Sequence, residues 1–240
     1  MKINKLSMIL AASVMLFSAN VNAEAYKAST AEGPIKIVNL SDLEAQVKEN
    51  MEPGAFGYVR GGAENENNMR SNTSDFDQKY IMPRALQGIE FKDLDLKTNF
   101  LGINLNTPII QAPMAAQGLM HEKGEIATAK GMAKAGSVFS LSTYGNKTIK
   151  EVAQAEPGYP FFFQIYMSKN NKFNEYILGE AKKHGAKAII LTVDSPVGGY
   201  REDDIRNQFQ FPLGFANLEA FAAMNDDGSK TGKGSGISEI

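Results

Sequence analysis

PFFFQIYMSKNNKFNEYILGEAKKHGAKAIILTVD, residues 160–194, places an apolar run at each end of a helical pattern. Phe161, Phe162, Phe163 and Ile165 fill the first run without polar alternation, and residues 188–193 do much the same in the second. A strand with one wet face alternates apolar and polar residues, so runs that are apolar throughout belong to strands covered on both faces. Between them Phe173, Tyr176, Ile177 and Ala181 share one helical stripe. Gly185 follows, where a helix chain turns left-handed. Strand, helix and strand in this order form the unit that joins parallel strands.

The same rhythm extends upstream. Apolar runs recur at residues 108–112 and 137–141. The pattern over 122–135 puts Ile126, Ala129 and Met132 or Ala133 on one face and closes at Gly136. Thr148 to Glu151 reads as a capping box opening another helix. Residues 107–206 are therefore expected to form about four βα units of an α/β fold, and both a doubly wound sheet and a (β/α)8 TIM barrel fit. Residues 24–106 read as an amino-terminal extension of helix and hairpin. In it Ser41–Glu44 is a second capping box, Pro53-Gly54 ends the helix, and short alternations over 76–108 suit hairpins. Residues 207–240 carry Phe209, Phe211, Phe215 and Phe221 without a clear period, then a tail of Gly, Ser and charged residues.

Composition narrows the function classes. The chain has 240 residues, 25 of them basic and 27 acidic, for a net charge of −2, which gives no pull towards nucleic acid. Cysteine is absent, which removes disulfides, thiolate nucleophiles and sulfur-ligated metals; no metal site is expected. Lys2 and Lys5 precede an apolar stretch from Met8 to Phe17, and Val21-Asn22-Ala23 has small residues where a signal peptidase reads. Residues 1–23 are expected to be a signal peptide cut after Ala23, with export to the periplasm in a Gram-negative cell. GSKTGKGSG (228–236) is no P-loop, because position 227 is Asp where Gly is needed and Gly234 replaces Ser or Thr.

Each apolar run ends, on its carboxyl side, in residues able to hydrogen-bond or to let a backbone come close. These ends are Ala112-Pro113-Met114-Ala115-Ala116, Ser142-Thr143-Tyr144, Gln164-Ile165-Tyr166 and Thr192-Val193-Asp194. Ligands of parallel α/β folds bind at this end. Residues two apart share a strand face, so Gln164 pairs with Tyr166 and Thr192 with Asp194. Taken singly, each reads first as an ordinary strand-end residue serving its loop, and the four together, two with a same-face polar pair, read as a site. By themselves Tyr58 reads first as a half-buried packing tyrosine and Arg201 as a partner of Glu202, Asp203 or Asp204.

APMAAQG (112–118), LSTY (141–144), FFQIY (162–166), LTVDSPVGGYRE (191–202) and GAFGYVRGGA (54–63) together resemble the FMN-dependent 2-hydroxy-acid dehydrogenase and oxidase family, which includes lactate oxidase and glycolate oxidase. The resemblance runs from about Leu40 to Arg206 and covers the amino-terminal half of the family's pattern. It implies an FMN-binding barrel, here truncated after about four βα units. The backbone at Pro113, Met114 and Ala115 would approach the flavin, and Ser142, Gln164 and Thr192 would hydrogen-bond its edge. Tyr58, Tyr166 and Arg201 would hold the substrate, with Tyr166 counted as catalytic, and Tyr144 would meet the substrate's side chain. The implied reaction is oxidation of a small L-2-hydroxy acid, lactate foremost, with electrons passing to oxygen or a respiratory acceptor.

The family's histidine base, second arginine, lysine and phosphate loops match nothing in this chain, whose histidines are His121 and His184. The alternative expectation is a truncated or split-gene fragment that at most binds flavin. Its partners would be a complementary carboxyl-terminal half or further copies of itself.

Overall fold

The structure is a computed structural model, and it describes residues 25–33, 35–194 and 197–225. The expected signal peptide and the Gly- and Ser-rich tail from 226 lie outside the described residues.

The extension opens with helix α1 (Leu40–Asn50). Its cap is Asn39, paired with Asp42 in a capping box, two residues before the Ser41 expected from sequence. Ser41 and Asn39 are equally good caps, but the Asp42 carboxylate also takes the Val38 N–H, which fixes the earlier start. Pro53-Gly54 opens a helix as well as closing one. Helix α2 (Pro53–Arg60) has Pro53 in its first turn, where no N–H is needed, and the Glu52 carboxylate accepts from Gly54 and Ala55 N–H. Helix α3 (Asn67–Ser74) follows. One hairpin forms downstream, β1 (Thr98–Phe100) against β2 (Ile103–Leu105). Leu101 and Gly102 both take positive φ at its turn, as a two-residue hairpin turn requires.

The main unit alternates helix α4 (Gly124–Ala135), strand β3 (Phe139–Ser142), helix α5 (Ile149–Ala155), strand β4 (Phe161–Ile165), helix α6 (Asn171–Lys183) and strand β5 (Ala188–Leu191). The strands form one parallel sheet, ordered β3-β4-β5, with Ser142 opposite Gln164 and Ile165 opposite Leu191. Thr148 and Glu151 cap α5 reciprocally, as expected. After α4, Gly136 at φ 68° lets the Ser137 N–H turn back to the Met132 carbonyl.

β3 and β4 are wholly buried, and the side chains of Phe139, Phe162 and Phe163 are almost inaccessible. Full burial of a phenylalanine stabilises by about 1.5–3 kcal/mol, which makes this strand pair the centre of the core. β5 differs: its residues alternate between half-buried and exposed, and Ile189 and Leu191 keep about half their surface in water.

Two differences from the sequence reading have clear causes. The run at 108–112 lies beside β3 without forming a regular strand. It donates Gln111 N–H to the Val138 carbonyl, and just past it Met114 makes one parallel bridge with Leu141. Pro108 and Pro113 have no N–H to give, and the Ser140 N–H goes to the Gln111 side chain at 3.0 Å. The four expected strands are thus three strands and an irregular segment, and no closed barrel forms among the described residues. Beyond helix α7 (Glu202–Arg206), residues Ala216–Asn225 form a helix, α8, where the sequence shows no period. Leu218 and Phe221 face the core, and Ala220, Ala222 and Ala223 fill the other sides, so no apolar stripe stands out.

Candidate active site

The carboxyl ends of the three strands carry a row of hydrogen-bonded polar side chains. Gln164, only 2 % exposed, stands at the middle. Its Oε1 accepts from Ser142 Oγ and from the Thr143 N–H, both at 3.2 Å, and its Nε2 donates to Thr192 Oγ1 at 2.8 Å. The Thr143 N–H can only donate, so the amide oxygen must face β3 and the amide nitrogen β5. Ser142 Oγ in turn accepts from the Tyr144 N–H at 3.2 Å. A row of this kind presents both donors and acceptors along one line. Asp194, expected beside Thr192, lies exposed past the end of β5.

Beside this row runs the segment 112–118. Pro113, Met114 and Ala115 are partly accessible, and Ala116 follows at φ 54°, a left-handed conformation rare for a residue with a side chain. Such positions cost roughly 1–2 kcal/mol and collect at functional sites. Two bonds hold the turn in place: Ala116 N–H donates to the Tyr144 carbonyl, and Gln117 N–H donates to the Glu125 carboxylate at 3.2 Å.

The substrate residues expected from sequence fall into one aromatic cluster. Tyr144 and Tyr166 lie 5.5 Å apart between ring centroids. Tyr144 meets Phe215 edge-on at 5.0 Å, Phe215 meets Phe211, and Phe211 meets Tyr58 at 4.7 Å. Arg201 joins Tyr58 twice: its Nη2 donates to the Tyr58 carbonyl at 2.6 Å, and its guanidinium lies 5.1 Å from the centre of the Tyr58 ring. Arg201 Nε donates to Asp204 at 2.6 Å, so the ion pair suggested by spacing is present together with the contact to Tyr58. The Tyr144 hydroxyl is buried without a hydrogen-bond partner. Burial, then the neighbouring Tyr166, pushes the Tyr144 phenol up to about 12. Burial also raises Tyr58, with Arg201 opposing and Asp204 and Tyr166 adding. At neutral pH both phenols are therefore donors.

Neither histidine enters this cluster. His121 Nε2 meets the Ala31 carbonyl at 3.2 Å, and His184 caps α6 beside Glu180. Phe209, Phe211 and Phe215 were visible in sequence only as an aromatic-rich stretch, and the structure makes them the walls between Tyr58 and Tyr144. Asn146 and Glu125, which brace the loops, gave no sequence signal beyond a polar turn and an acid in a helix's first turn.

These groups suit a flat cofactor with a polar edge. The row from Ser142 to Thr192 can match alternating donors and acceptors, the segment at 113–115 has small or unbranched side chains, and an unpartnered phenol stands beside the row.

Comparison with known proteins gives the family. A family profile for FMN-dependent dehydrogenases matches residues 47–237. The chain is 49% identical over 215 residues to an L-lactate oxidase of Lentilactobacillus hilgardii, covering 90% of this chain and 56% of the relative. It is 38% identical to glycolate oxidase 1 of Zea mays over 74% of this chain and 47% of that protein. A solved structure described as a lactate oxidase of Pediococcus acidilactici superposes with a TM-score of 0.80 at 47% identity, over 88% of this chain and 56% of that one. The chain thus spans about half the length of the curated relatives it matches. With the profile match extending over most of its residues, the chain belongs to the FMN-dependent dehydrogenase family.

Proposed function

We propose that this chain carries the flavin-edge and substrate-binding side of an enzyme that oxidises a small L-2-hydroxy acid, L-lactate first, to the 2-oxo acid. The observation that carries the proposal is the juxtaposition of the Ser142–Gln164–Thr192 row with the Tyr58–Arg201 pair through one aromatic cluster. FMN, when bound, supplies the two-electron acceptor. Ser142, Gln164 and Thr192 would hold the edge of its ring, and the backbone of Pro113, Met114 and Ala115 would line its face. Arg201 presents a planar cation to a carboxylate, and Tyr58 and Tyr166 add hydroxyl donors. Tyr144, packed edge-on against Phe215, would meet the substrate's side chain. The relatives named as lactate oxidases support the choice of lactate.

The remaining barrel strands, the base that takes the substrate proton and the phosphate loops would come from further chain, joined or separate. Exposed Ile189 and Leu191 on β5 support such a continuation. Residues 24–106 would then be the extension and 107–206 the first barrel units. Oxygen, a quinone or a cytochrome would reoxidise the flavin. Lys2, Lys5 and the apolar stretch that follows support export with cleavage after Ala23.

The test uses the full chain with FMN, alone and co-expressed with the carboxyl-terminal half of a lactate oxidase relative. L-lactate without oxygen should bleach the flavin in the paired sample. No bleaching even with that half supplied would overturn the proposal, while stoichiometric flavin without bleaching in the lone chain fits a fragment that binds but does not turn over.

A further inference from the structure

The Glu125 side chain is wholly buried in the first turn of α4. Its Oε1 accepts two backbone N–H groups from different loops, Gln117 at 3.2 Å and Asn146 at 3.0 Å, while Oε2 is buried with no hydrogen-bond partner. Asn146 extends the connection, since its Oδ1 accepts from Gly118 N–H at 2.9 Å and its Nδ2 donates to the Gly214 carbonyl at 2.8 Å. Two segments meet at this carboxylate, 112–118 and the turn after β3 that begins with Thr143 and Tyr144, and the Asn146 side chain ties in the stretch leading to Phe215. The sequence makes room for it. Gly124 sits at φ 43° with its α-carbon side against the Gly118 backbone, and a side chain on Gly118 would strike Asn146.

Taking a carboxylate out of water is costly unless hydrogen bonds replace the lost hydration. Two main-chain donors from separate loops offset part of that cost only when both loops are in place, so the carboxylate and the loop arrangement depend on each other. We infer that Glu125 is a positioning residue that sets the spacing between the 113–115 backbone and Tyr144. That FMN lies against these two groups rests on the function proposed above; the spacing itself does not.

The test compares the full chain with Glu125→Gln, which keeps an oxygen acceptor, and Glu125→Met, which keeps length and volume without one. Amide hydrogen exchange by NMR and FMN titration are read on each. The Met variant should speed exchange at Gln117 and Asn146 about tenfold or more, leave β4 protected, and weaken FMN binding about tenfold; the Gln variant should stay near the parent in both. Asn146→Ala serves if the Met variant does not fold: it should free the Gly118 amide while Gln117 stays protected by Glu125. Parent-like protection in the Met variant, loss in the Gln variant equal to that in Met, or free exchange of Gln117 in Asn146→Ala would overturn the inference. So would loosened loops with FMN affinity unchanged. If the parent chain itself binds no FMN, the proposed function fails, and the exchange pattern still decides whether Glu125 sets the spacing.

Discussion

Gln164 Nε2 donates to Thr192 Oγ1 at 2.8 Å, which joins the end of β4 to the residue just past β5 on the side where the candidate cofactor residues gather. The same amide accepts on its other side from Ser142 and Thr143, so its polar atoms are engaged within the protein before any ligand arrives. Ligand binding at this row would extend an existing network rather than fill an empty one.

Replacing Gln164 with Leu should therefore cost stability as well as cofactor. The substitution strips the Thr143 N–H and two hydroxyls of their partner in a buried place, and each buried unsatisfied group costs about 1–3 kcal/mol. Urea unfolding should show the loss, with the slope unchanged because the fold is the same.

Tyr144→Phe should behave in the opposite way. The hydroxyl is buried without a partner, so its removal should leave the urea midpoint unchanged or raise it. Binding of a 2-hydroxy or 2-oxo acid should weaken if that hydroxyl serves the ligand. A fall in stability equal to that of Gln164→Leu would show a partner in solution.

The pH dependence of stability has a definite sign. Tyr144 is raised from 10.0 to about 12 in the folded state, so the folded chain keeps a proton that the unfolded chain gives up. Its contribution is whole below about 10 and is lost as pH climbs through about 12. Tyr144→Phe should flatten this alkaline limb, as seen in thermal melts across that range.

Arg201→Lys keeps the charge but loses the planar fork that reaches Asp204 and the Tyr58 carbonyl together. Ligand carboxylate binding should weaken about tenfold or more, while FMN affinity should change little, since Arg201 touches Tyr58 and not the Gln164 row. Equal loss of both would place Arg201 in a general folding role.

Gly136→Ala tests the fold apart from the site. The left-handed backbone alone should cost about 1–2 kcal/mol, and the added carbon would overlap the Asn106 side chain. The melting temperature should fall while FMN binding, corrected for the folded fraction, stays the same.

The βα rhythm was legible because covered parallel strands are apolar throughout and their helices carry a clear stripe. The caps at Thr148, Gly136 and Gly185 could be read directly, since each relies on a residue type that few positions tolerate. The strand expected at 108–112 misled because apolar content does not reveal that two prolines and a glutamine side chain interrupt the ladder. Helix α8 was hidden because a helix apolar on nearly every side has no period to detect. Within the site, Ser142, Gln164 and Thr192 were legible as polar residues at the carboxyl ends of apolar runs, while their grouping at a flavin edge came from the family resemblance. Phe209, Phe211 and Phe215 were not, since only the returning chain brings them against Tyr58 and Tyr144.

The most direct measurement is titration of the full chain with FMN, followed by flavin fluorescence, for the parent and for Gln164→Leu. A saturable, one-to-one change in the parent, weakened about tenfold or more in the variant, is the predicted result. A parent that never saturates, or a variant that binds as tightly as the parent, would contradict the assignment of this row as the flavin edge.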